Sequence, residues 1–147
     1  EHVQNYVEVF SGVTGREVTK EDLVAQSERV YQFQRVFNIR LGYGLRDHDA
    51  VPYRSQGPVT VEEYASRAER YDKQLAEDVG VDPTTMTVEE RVAALREYRE
   101  DRYEKLIDAV YKRRGWTQNG VPKRETLEKA GIAYPDVLAV VEPHLEE

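Results

Sequence analysis

The chain has 147 residues, 28 acidic against 21 basic side chains, a formal net charge of -7, 39% hydrophobic residues and no cysteine. A chain of this length can bury roughly 68–70% of the surface its unfolded form exposes, so a core without staples is expected. The missing cysteines exclude disulfides, thiolate zinc sites, cysteine nucleophiles and any cluster held by the chain's own thiolates. No apolar run approaches the roughly 20 residues of a bilayer span, and the first residues, EHVQNYVEVF, lack a basic region leading into an apolar stretch. The expected compartment is the cytoplasm. Residue 1 is Glu and the only Met is Met86, so the sequence reads as a fragment or a processed product.

The first predicted element is a helix over 2–11, ahead of Gly12 and Gly15. The second starts at Thr19-Lys20-Glu21-Asp22, where a Thr hydroxyl and an acid three residues on can cap each other's amides. Leu23, Val30, Phe33, Phe37 and Leu41 then recur at helical spacing until Gly42-Tyr43-Gly44, which predicts a helix near 20–40. Residues 42–59, with Asp47-His48-Asp49, Pro52 and Gly57-Pro58, follow neither period and predict a long irregular loop. Thr60-Val61-Glu62-Glu63 opens a third helix, in which Tyr64, Ala68, Tyr71 and Leu75 are spaced to end near Gly80. Thr87-Val88-Glu89-Glu90 opens a fourth, carrying Val92, Leu95, Tyr103, Leu106 and Val110 as far as Gly115. Pro122 and Pro135 suit first-turn positions of two short helices at about 122–130 and 135–142. No segment alternates with period two. The fold class is therefore all-α: one antiparallel domain of about six helices over 1–147, with no internal repeat.

Candidate chemistry is sparse. His2, His48 and His144 lie far apart, and Asp47-His48-Asp49 reads as a solvated loop because adjacent residues seldom converge on one ion. No metal ligand and no catalytic residue is assigned. Lys112-Arg113-Arg114, with Lys105 and Lys123-Arg124, is the densest basic cluster, but the net charge repels phosphate and cations in a last helical turn suit the helix dipole. Nucleic acid is excluded as a partner on that ground, and a membrane for want of a spanning segment. Ten tyrosines against three phenylalanines suit half-exposed or docking helices. The segment Arg35-Val36-Phe37-Asn38-Ile39-Arg40-Leu41-Gly42 is more specific, since it sets Arg35, Asn38 and Arg40 among large apolar residues, with Arg35 and Asn38 sharing a face and Arg40 off it. These side chains either tie the helix to the following loop through carbonyls and carboxylates such as Asp47 or Asp49, or face a cofactor or anionic ligand on another domain.

Thr14-Gly15, Thr19 to Leu23, Ser27 to Val30, Arg35 to Gly42, and an Asp-rich loop ending Val51-Pro52-Tyr53-Arg54 follow one another in an order that resembles the final third of the aldehyde:ferredoxin oxidoreductase family. Tyr111 to Pro122, with Arg114-Gly115-Trp116 at its centre, and Thr126 to Ile132 resemble that family's closing segment. The resemblance implies a parent enzyme that binds tungsten or molybdenum through two pterins beside a four-iron (4Fe-4S) cluster, oxidises aldehydes to carboxylates and passes electrons to ferredoxin or another carrier. It implies an N-terminal β-rich domain and helical domains, the remaining domains being this chain's partners. The family's cluster cysteines and pterin motifs lie upstream of the matched region, so no cofactor-binding residue carries over. Arg35, Asn38 and Arg40 stand as cavity-facing candidates. The fragment alone is expected to bind no metal or cluster and to be inactive. Residues 58–100 look like a helical insertion, which bears on substrate or partner choice. The competing reading is a stand-alone helical protein-interaction module.

Overall fold

Reciprocal capping starts two of the longest helices. In the computed structural model, which describes residues 2–145, Thr19 Oγ1 accepts from the Asp22 amide at 3.1 Å while Asp22 accepts from the Thr19 amide at 3.0 Å. Thr87 and Glu90 repeat the exchange at 3.2 and 2.8 Å. Each pair satisfies two amides that a helix start would otherwise leave open. The described residues form seven helices: α1 (His2–Thr14), α2 (Lys20–Arg40), α3 (Val61–Ala65), α4 (Ala68–Gln74), α5 (Val88–Arg114), α6 (Arg124–Lys129) and α7 (Pro135–Val141). Among them the only β-type pairing is one isolated bridge, between Trp116 and Pro122. The all-α reading holds.

The chain divides into two compact bodies: one takes the residues up to Asp49 and from Tyr111 onward, the other Ala50–Val110. In the first, Val36 and Ile39 of α2 pack with Val121, Leu127 of α6, Ile132, and Val137 and Val141 of α7. Arg29 Nε donates to the Ala130 carbonyl at 2.8 Å, fastening α2 to the end of α6. In the second, Tyr64, Tyr71, Leu75 and Leu95 form the core, with Val88 and Val92 packed against it. The two tyrosines sit with ring centroids 5.2 Å apart, and the Tyr64 hydroxyl donates to Asp72 at 2.7 Å. Arg91 donates to the same carboxylate at 3.2 Å, so the polar edge of this core is paired.

Two expectations are corrected. The helix expected from residue 61 to Gly80 breaks at Arg67, whose φ of -139° and ψ of 28° are not helical. The Ser66 hydroxyl donates to the Glu63 carbonyl at 2.8 Å, the local competition that weakens a helix at serine. After α4 the chain widens into a π turn over Leu75–Val79, in which the Gly80 amide reaches the Leu75 carbonyl at 2.9 Å. Gly80 closes it with φ 81°. Likewise Pro122 is not in the first turn of a helix: it pairs with Trp116, and α6 begins at Arg124. Pro135 does open α7. Over residues 42–59 the expected irregular loop contains two short 3-10 turns, Arg46–Asp49 and Tyr53–Gln56.

The energetic ranking of these features is testable by urea unfolding. Leu95→Ala empties a fully buried site and is expected to cost about 2–5 kcal/mol, whereas Thr87→Ala loses only a cap, at about 1 kcal/mol.

Candidate functional site

A buried guanidinium organises the first body. At 100° per residue, Gln32, Arg35, Val36 and Ile39 fall on one side of α2, and all four are buried. Arg35 Nε donates to the Gly120 carbonyl at 2.8 Å, Nη1 to Asp49 at 2.9 Å, and Nη2 lies 2.7 Å from the other Asp49 oxygen. Tyr111, in the last turn of α5, accepts from Nη2 at 3.4 Å and donates to Asp49 through a very short bond. The guanidinium carbon lies 4.6 Å from the Trp116 ring centroid and 5.7 Å from that of Tyr111, adding cation–π attraction on two aromatic faces. Each guanidinium nitrogen thus has an internal partner, which is what a cation with an 8% exposed side chain requires.

Gln32 extends the network. Its oxygen accepts from the Trp116 indole N–H at 2.7 Å, and its nitrogen donates to Glu28 at 2.8 Å and to the Arg114 carbonyl at 3.1 Å. Arg114 pairs with Glu28 at 2.5 Å and covers the Tyr31 ring at 4.1 Å. The turn carrying Trp116 and Gly120 is held by the Thr117 amide to the Val121 carbonyl at 2.8 Å and the Thr126 hydroxyl to the Gly115 carbonyl at 2.7 Å. The loop is tied in by Arg46, whose guanidinium reaches the Gln118 carbonyl at 2.9 Å. Gly120 has φ 79°, and a Cβ there would run into Arg35 Nη2 and the Tyr111 hydroxyl. Only glycine meets both demands.

Burial by itself raises the Asp49 carboxyl, but the hydrogen bonds from Arg35 and Tyr111 and the Arg35 charge outweigh it and hold the group below the ordinary carboxylate value. Burial, the hydrogen bond to Asp49 and that carboxylate's charge push the Tyr111 hydroxyl up to about 12. A neutral phenol clasping an ionised carboxylate beside a cation is a structural clamp.

Of the three candidates from sequence, Arg35 is in this clamp, while the Asn38 and Arg40 side chains are exposed at the end of α2. Arg35 does reach Asp49 in the following loop. Gln32 and the Gly120 carbonyl were not singled out from sequence. The signal for Gln32 was present in the spacing Gln32, Arg35, Val36, Ile39, which is as helical as that of the apolar residues. Among the described residues no buried side-chain nitrogen or oxygen lacks a partner, and no three His, Cys, Asp or Glu are placed to hold a metal. With no cysteine in the chain, this donor set does not fit a metal or an iron–sulfur cluster held by these residues alone. No described helix is long and apolar enough to cross a membrane. A separate open cavity of about 750 Å³ lies along α1 and the first half of α2, lined by Tyr6, Val9, Phe10, Val13, Val24 and Tyr31 among others.

The family model for aldehyde ferredoxin oxidoreductase, domains 2 & 3, matches residues 1–132. Searches of curated proteins and of solved structures find no match.

Two outcomes are expected of the clamp. Gly120→Ala should cost about 2–4 kcal/mol in urea unfolding, through backbone strain and displacement of Arg35. The Asp49 contribution is full above its ordinary pKa of 3.8 and is lost as pH falls through the lower folded value. The Tyr111 contribution is full below 10.0 and is lost as pH rises towards 12. Unfolding free energy measured from pH 9 to about 12 should therefore fall, and Tyr111→Phe should make that fall shallower without abolishing it, because Tyr64 is also shifted upward.

Proposed function

Because the chain belongs to the aldehyde ferredoxin oxidoreductase family, we propose that it is a C-terminal helical part of an enzyme that oxidises an aldehyde to a carboxylate and delivers the electrons through a 4Fe-4S cluster to ferredoxin. The observation that carries this reading is the family match over residues 1–132, which takes in the whole of the second body and the first body as far as Ile132, short of α7. Family membership implies further domains of a parent oxidoreductase, and these are the chain's partners. The tungsten or molybdenum bis-pterin and the cluster supply the redox chemistry when bound, and their ligands come from those domains, since the residues here do not suit them.

The part played by this chain is enclosure. Arg35 holds the end of α2, the loop to Asp49 and the Trp116 turn in one arrangement, which presents Asn38 and Arg40 outward as the groups that line the cofactor cavity of the assembled enzyme. The helical segment 58–100 lies within the Ala50–Val110 body and sets substrate or partner choice. Alone, the chain is catalytically inactive, and the assembled enzyme works in the cytoplasm.

Asn38→Ala and Arg40→Ala in the assembled oxidoreductase test the reading. Each should lower kcat/KM for aldehyde-dependent electron delivery by about tenfold or more with unchanged thermal stability, because the side chains are exposed in this chain. Unchanged rates in both variants would contradict the placement of these residues at the cavity. Absence of any aldehyde-dependent electron delivery by the unsubstituted enzyme would contradict the reaction.

A further inference from the structure

Helix α2 is turned inside out. On a 100° period Val30, Phe33, Phe37 and Leu41 fall within about 80° of arc, opposite the arc that holds the buried Gln32, Arg35, Val36 and Ile39. All four of these apolar residues are about half exposed, as is Tyr43 just beyond the helix. A helix normally turns such a row into its own core and leaves arginine and glutamine to the solvent. Here the polar residues are held inside by the Arg35 clamp, so the apolar row has been left for something else. Contiguous apolar rows of this kind on a folded surface mark an interface.

We infer that this outward row of α2, continued by Tyr43, is the seat on which the cofactor-bearing remainder of the same oxidoreductase packs. The inference rests on the function proposed above and adds the surface through which it is exercised. Charge and area select that occupant. Arg29, Arg40 and Asp22 border the row on one side and Gln34 and Asn38 on the other, so the rim carries fewer cations than the roughly 4–8 that hold a segment to an anionic lipid surface, on a chain whose net charge is -7. A second copy of this chain would bring a net charge of -7 against another of -7, which opposes association. Five half-exposed large side chains leave on the order of 500 Å² of apolar surface. A stable dimer of separate chains needs about 800 Å² from each partner. Domains of one enzyme bury about 600–1,500 Å² in total between them, or 300–750 Å² a side, because they do not bear the full entropic cost of association. The row matches the second figure.

Hydroxyl-radical footprinting read by mass spectrometry tests this, comparing Phe33, Phe37, Leu41 and Tyr43 in the isolated 147-residue chain and in the assembled oxidoreductase. The isolated chain should label strongly at all four, and assembly should reduce labelling by about fivefold or more, as exclusion of water from an interface core requires. Sedimentation equilibrium of the isolated chain should show a monomer. Equal labelling in the two samples would overturn the inference. So would a concentration-dependent dimer of the isolated chain that protects the same residues and reverts to monomer in Phe37→Glu. Protection in an assembled enzyme that shows no aldehyde oxidation would leave the docking surface standing and remove the reaction proposed for it.

Discussion

The first body depends on burying one positive charge well. Arg35 is drawn into a space among α2, the loop to Asp49, the last turn of α5 and the Trp116 turn, segments far apart in sequence. An unpaired cation in that position would cost several kcal/mol, so the fold supplies a carboxylate, a carbonyl, a phenol and two aromatic faces. The partners are not independent of one another. Asp49 accepts from both Arg35 and Tyr111, and Gly120 can offer its carbonyl only because it carries no side chain. Since Asp49 keeps 32% of its side chain in contact with solvent, loss of Arg35 would leave a carboxylate that water still reaches, whereas loss of Asp49 would leave the 8% exposed Arg35 side chain without its counter-ion.

That constraint explains the inverted helix. Once α2 must turn Gln32 and Arg35 inward, geometry sends Val30, Phe33, Phe37 and Leu41 to the opposite side. A helix cannot bury both faces in a body this small. The exposed row is then a consequence of the clamp, and it suits a chain whose family is built from several domains. The clamp and the docking surface are two sides of one element.

Much of this was legible in the sequence, and the rest failed for physical reasons. The starts of α2, α3 and α5 at Thr19, Thr60 and Thr87 were readable because capping is local, needing only a hydroxyl and an amide three residues on. The tie between Arg35 and an aspartate of the loop could be framed in advance because few other cations lie so deep in an apolar segment. The direction in which α2 faces could not, since Leu23, Val30, Phe33, Phe37 and Leu41 are spaced for a core as well as for an interface, and only tertiary packing decides. The break at Arg67 was hidden because Ser66 is compatible with a helix until its hydroxyl finds the Glu63 carbonyl. The position of Pro122 was misread because proline suits a first helical turn and the bridge opposite Trp116 equally well.

A double-mutant cycle between Arg35 and Asp49 tests most directly whether the clamp holds the body together. Arg35→Met, Asp49→Asn and the double variant would be compared with the unsubstituted chain by urea unfolding at pH 7. Direct pairing at 2.7–2.9 Å predicts that the double variant is more stable than the sum of the single losses implies, with a coupling of about 1–3 kcal/mol. Additive losses within about 0.3 kcal/mol would show that Arg35 and Asp49 act separately, and the clamp would not be what the structure depends on.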